Sequence, residues 1–107
     1  MTNISFFKRN DIIIGFEVKG HTGKAKHGED LLCAQISTVA QLAIVGIEDV
    51  CKIKSFQEIS DGYLMLKVSE KDAMLEKVQI VFKTCMESFK SIIIDEEKFA
   101  KLEVKNV

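Results

Sequence analysis

One stretch holds most of the residue types that can do chemistry: Gly20-His21-Thr22-Gly23, then Gly28-Glu29-Asp30-Leu31-Leu32-Cys33-Ala34-Gln35-Ile36-Ser37. Asp30 is a good helix N-cap, and the alanines and leucines behind it favour helix. With Asp30 as the cap, Cys33 is the third helical residue. There the unpaired backbone N–H groups and the positive end of the helix dipole favour a thiolate over a thiol. A thiolate attacks carbonyl carbon. Lys24 and Lys26 act in the same direction if the loop folds over the helix start. His21 leaves the end of a strand, and one loop then carries the chain to the helix. That arrangement can bring an imidazole to the thiol as its general base. The first-turn N–H groups can hold an oxyanion, and glycines at 20, 23 and 28 let the loop move and approach a substrate closely.

Each of these residues also has a plainer role. A lone cysteine in an apolar helix is usually a small buried hydrophobe. Cys51 falls near a helix C-terminus, where the dipole disfavours a thiolate, and Cys85 lies on a core stripe. His27 is the rival base, six residues before Cys33, and is otherwise a solvated histidine. Asp30 is first a cap, with an orienting role second. Ser37 stands one turn after Cys33, lining the site or bonding back to the carbonyl four residues earlier. Gly23-Lys24 lacks the spacing of a phosphate loop. Gly20-His21-Thr22-Gly23 matches the GXXG clamp of KH domains, but a strand precedes it where that clamp joins helices. His21, His27 and Cys33 lack paired zinc-ligand spacing and an evident fourth ligand, so neither metal nor cofactor is expected.

The elements that must position these groups follow from periodicity. Ile4, Phe6 and Lys8 alternate with Ser5 and Phe7 as a strand. Arg9-Asn10-Asp11 turns into a second, β-branched strand over Ile12 to Val18. Gly20 to Glu29 is a loop without large apolar residues. The helix from Asp30 runs to about Val50. Its core stripe is Leu32, Ile36, Val39, Ala43, Ile47 and Val50, while Leu31, Leu42 and Val45 lie elsewhere on the cylinder. A helix apolar nearly all round buries a second side, here against another subunit. Ile53 to Ile59 and Tyr63 to Val68 flank Ser60-Asp61-Gly62 as a hairpin. Ser69 caps a second helix from about Glu70 to Lys90 with the stripe Leu75, Val78, Phe82, Cys85 and Phe89. Phe99 to Val104 offers an optional last strand. The predicted fold is α+β: a small mixed or antiparallel sheet with two helices, in the order ββαββα with that possible fifth strand.

The bulk properties restrict the functional classes. The 107 residues suit one domain, 1–107. A formal net charge of -1 gives no basic field for a nucleic acid backbone. No apolar run approaches a membrane span, and nothing at the N-terminus reads as an export signal. Three widely spaced cysteines then read as reduced thiols in a cytoplasmic protein. Besides an enzyme with a thiol nucleophile, a non-catalytic binding protein fits. A thiol-transfer protein fits less well, because no CxxC pair is present.

At Gly20-His21, Gly28, Asp30, Cys33-Ala34 and Ser37 the sequence resembles the ribosomal-processing cysteine protease family, Prp. The resemblance spans nearly the whole chain in element order, with its specific part at 20–37. It implies a homodimeric α+β cysteine protease that removes an N-terminal extension from a bacterial ribosomal large-subunit protein, the alternative being a non-catalytic ribosome-associated assembly or binding protein with Cys33 as packing. Cys33 would be the nucleophile and His21 the base. Gly20, Thr22, Gly23, Gly28, Asp30, Ala34 and Ser37 would line the site, the loop would be a mobile flap, and an apolar groove would lie beside Cys33. Thr22, Leu31, Leu32 and Gln35 depart from common family residues, which affects groove shape and leaves the dyad intact.

Overall fold

A computed structural model describes residues 1–26 and 28–107. The two N-terminal apolar runs form an antiparallel hairpin, β1 (Thr2–Arg9) and β2 (Ile12–Lys19), pairing Phe6 with Phe16 and Ile4 with Val18. Asn10 and Asp11 both take positive φ in the turn, a conformation that short polar side chains tolerate. The chain then runs through the loop into helix α1 (Leu31–Ile44), which continues as a π-helical segment over Val45–Val50. The second hairpin is β3 (Phe56–Ser60) and β4 (Tyr63–Lys67), followed by α2 (Glu70–Ala73), α3 (Glu76–Ile93) and β5 (Ala100–Asn106).

The five strands stand in the order β3-β4-β2-β1-β5. All pair antiparallel except β5, which runs parallel to β1 with Ile4 opposite Leu102. The mixed sheet packs Ile4, Phe6, Phe16 and Leu66 against the helices. Phe6 stacks on Phe16 at 5.1 Å between centroids, and Phe82 and Phe89 of α3 meet these rings edge-on. These four connected aromatic rings give this small core a large share of its buried apolar surface.

The expected order ββαββα with an optional last strand holds except in its helices: the last strand forms as β5, and the second helix is two, so the described residues give ββαββααβ. Ser69 does cap a helix, its hydroxyl accepting from the Asp72 N–H, but that helix ends at Ala73. Leu75 is extended and half-exposed, outside the stripe assigned to it. Buried Gln79 explains the break. Its amide donates to the carbonyls of Ile13 and Ala73, and its oxygen accepts from the Ile13 N–H. The Ala73 carbonyl is thus satisfied by a side chain that also grips β2, where a continuous helix would use the backbone N–H four residues on. Val50 is likewise off its predicted face and exposed. In the π-helical segment the Cys51 N–H reaches the Gly46 carbonyl, five residues back. This wider turn rotates the following side chains away from the 3.6-residue stripe. Contrary to the expectation that no apolar run approaches a membrane span, residues Leu31–Val50 are long and apolar enough for one by length and composition alone. Leu32, Ile36, Ala40, Ala43 and Ile47 of that segment are core residues here.

Candidate active site

Asp30 caps α1 as its residue type demands: Oδ1 accepts from the Cys33 N–H at 2.9 Å. Cys33 is therefore the third residue of the helix, half-buried, at the end where the dipole is positive. The other oxygen of Asp30 ties down the loop. Oδ2 accepts from the Thr22 hydroxyl, from the Lys24 N–H at 3.1 Å and from the Ala25 N–H at 3.3 Å. These hydrogen bonds, that from Thr22 first, hold the Asp30 carboxyl below the usual carboxylate range, and burial opposes them. Thr22 is itself buried, so it serves the loop anchor. One carboxylate thus joins the loop to the helix start that carries the thiol.

The loop has a second tether. The Lys24 ammonium pairs with Glu96 and lies 5.7 Å from the centroid of the Phe99 ring, in the connection from α3 to β5. The charge that the sequence offers as a bias on the Cys33 thiol is thus engaged by Glu96. Gly20, Gly23 and Gly28 all take positive φ. At Gly20 the requirement is double, since an added Cβ would lie 2.5 Å from the Met1 carbonyl oxygen.

His21 follows the end of β2, with a side chain about half-exposed. Its carbonyl accepts from the α-amino group of Met1 at 2.8 Å, and its Nε2 lies 3.7 Å from Oδ1 of Asp61 in the β3–β4 turn. His21 and Cys33 line the same cavity, of about 630 Å³, between α1 and the second hairpin. Its walls are largely apolar, from Val18, Ile36, Ala40, Ile44, Ile59 and Leu64. A neighbouring cavity of about 540 Å³ shares His21, Cys33, Ser37 and Asp61, and adds Gly23, Gly28, Asp30 and Ala34. Gly20 and Ser37 belong to the first cavity, while Thr22 borders neither, lying beneath the loop. Ser37 accepts from the Gln41 side chain at 3.0 Å, and it is Thr38 that bonds back to the carbonyl four residues earlier. His27 lies outside the described residues. Among the described residues no group of three or more His, Cys, Asp or Glu side chains is placed to hold a metal ion.

The other two thiols sit in the core. Cys51 is buried, its Sγ 3.8 Å from the Lys77 carbonyl. Cys85 is buried against α1, its Sγ 3.7 Å from the Val39 carbonyl, and burial pushes its thiol up to about 12. Sequence reasoning missed Asp61 and the apolar residues of the hairpin wall. Asp61 reads as half of an Asp-Gly turn signal, and only the meeting of two distant segments brings it to His21.

Residues 1–101 match the family model described as cysteine protease Prp. No curated protein matches the sequence. Among solved structures, SMU.848 from Streptococcus mutans is 22% identical with a TM-score of 0.83, over 100% of this chain and 96% of that one. The essential ribosomal processing protease Prp from S. aureus, with a covalently linked product peptide, is 17% identical with a TM-score of 0.90. That alignment covers 98% of this chain and 100% of that one. The same protease with a substrate peptide is 16% identical with a TM-score of 0.83, at the same coverage. At these identities the structures speak to the fold, and the family model to membership.

Proposed function

The chain belongs to the Prp family of cysteine proteases, and on that premise we propose that it removes the N-terminal extension of a bacterial ribosomal large-subunit protein during ribosome maturation, with Cys33 as nucleophile and His21 as general base. The observation that carries this reading is the shared cavity: a thiol in the first turn of α1 and an imidazole at the end of β2 open onto one apolar groove. His21 takes the proton of Cys33, and the thiolate attacks the scissile carbonyl carbon. The Cys33 N–H is already held by Asp30, so other first-turn N–H groups stabilise the oxyanion. His21 then protonates the leaving amine, and water releases the acyl group from sulfur. The groove beside Cys33 suits an apolar stretch of substrate.

The same reading makes the protein a cytoplasmic homodimer acting on a peptide, without nucleic acid, membrane or cofactor. The exposed Leu31 and Leu42 on the side of α1 away from the cavity support a subunit contact there. The test is cleavage of a peptide carrying the extension, read by mass. Wild type and His27→Ala are expected to cleave. Cys33→Ala and His21→Ala are expected to lose roughly a hundred- to ten-thousand-fold in rate. Undiminished cleavage by Cys33→Ala contradicts the proposal.

A further inference from the structure

The tip of the second hairpin meets the chain around His21 in three ways. The Gly20 N–H donates to the Gly62 carbonyl at 2.8 Å, tying the residue before His21 to the turn. Gly62, at φ +68°, lies under the ring itself. A Cβ there would stand 2.9 Å from Nε2, closer than real Cβ atoms approach, and 3.3 Å from Cδ2 of His21. Beside it, the Asp61 carboxylate faces Nε2 at 3.7 Å and lines both cavities together with His21 and Cys33. Asp30, the carboxylate that caps α1, is turned toward Thr22 and the backbone of residues 24, 25 and 33.

We propose that Asp61 is a positioning residue for His21, seating the Nε2 end of the ring against the hairpin tip so that Nδ1 is the nitrogen presented to the Cys33 thiol. The inference rests on the Cys33–His21 reading given above. The proton passes from Sγ to Nδ1, and the imidazolium donates its Nε2–H to Asp61 Oδ1. The pair closes from 3.7 Å to hydrogen-bond length when substrate covers the site and excludes water, as catalytic contacts commonly tighten on binding. A carboxylate there fixes the ring's orientation and tautomer and stabilises its charged form. Gly62 supplies the space: any side chain would displace the ring from its seat.

The Asp61 side chain is 87% exposed, so substitution removes the charge without opening the core. Asp61→Asn, Asp61→Glu, Gly62→Ala and His21→Ala are compared in peptide cleavage and in the rate of iodoacetamide labelling of Cys33 at neutral pH. Thermal unfolding serves as the check on folding. Asp61→Asn is expected to lower kcat about tenfold with KM within about twofold and to slow Cys33 labelling. Asp61→Glu is expected to restore most of both, and Gly62→Ala to lower kcat at least as far as Asp61→Asn. A rise in KM with unchanged kcat assigns Asp61 to a cationic group of the substrate and overturns the proposal. So does an Asp61→Asn protein with wild-type labelling while His21→Ala labels slowly. If His21→Ala itself labels and cleaves like wild type, it is the dyad reading that fails.

Discussion

Cys33 and Cys85 are the same residue type on the two long helices, and their surroundings differ in what bears on thiol chemistry. Cys33 is the third residue of α1, half-buried, with its N–H held by the cap and its helix end opening onto the cavity that His21 shares. Cys85 is well inside α3, buried against α1, with a thiol pushed up to about 12 by desolvation alone. A thiolate needs compensating positive potential or donors; a helix start is a place that can supply them and a dry core is not, which is why the proposal rests on Cys33. Where a cysteine stands along a helix, and what covers it, decides more than the residue itself.

The contrast is sharpest where α3 acts purely as packing. Phe82→Ala removes a fully buried ring from the aromatic cluster and is expected to cost about 3–5 kcal/mol in denaturant unfolding. A cost below about 1 kcal/mol would mean that α3 is not the core element described. Next in size, Cys85→Ser places a hydroxyl in a dry contact and is expected to cost about 1–3 kcal/mol, while the folded protein keeps its peptidase activity. Cys33→Ser is the mirror image: stability within about 0.5 kcal/mol of wild type, and cleavage lost. Comparable stability losses for the two serine variants would erase the distinction drawn here.

The smallest effect belongs to Asp30. Its carboxyl titrates below the ordinary range in the folded protein, chiefly through the Thr22 hydrogen bond. Its contribution to stability is therefore fully present above the carboxyl's unfolded pKa and lost as pH falls through the lower folded one. Asp30→Asn is expected to lower the melting temperature at pH 7 and to flatten its decline between neutral pH and about pH 3. Identical acid profiles for the two proteins would mean that the cap and loop anchor carry no linked stability.

Much of this arrangement was legible locally. The Asp30 cap, and with it the place of Cys33 in the first turn, follows from one residue type before an apolar periodic run. Both hairpins announce themselves by alternation around Asn10-Asp11 and Asp61-Gly62. What stayed hidden depends on distant partners. Nothing between Ser69 and Lys90 breaks a helix by composition, since neither glycine nor proline occurs there. The break exists because Gln79 bonds across to Ile13. The drift of Val50 off its stripe comes from the π-helical bonding, which no single residue type announces. The parallel pairing of β5 with β1 joins segments nearly a chain length apart. Asp61 meets His21 only because β4 lies beside β2 in the sheet.

The central claim is that one thiol forms the covalent intermediate. The most direct test is to quench the protein in acid during cleavage of the extension peptide, weigh the intact chain and map the acylated residue by proteolysis and mass spectrometry. The account predicts a single acyl adduct, on Cys33, absent from Cys33→Ala and not accumulating in His21→Ala. An adduct on Cys51, on Cys85 or on a hydroxyl, or rapid cleavage with no adduct at Cys33, would contradict it.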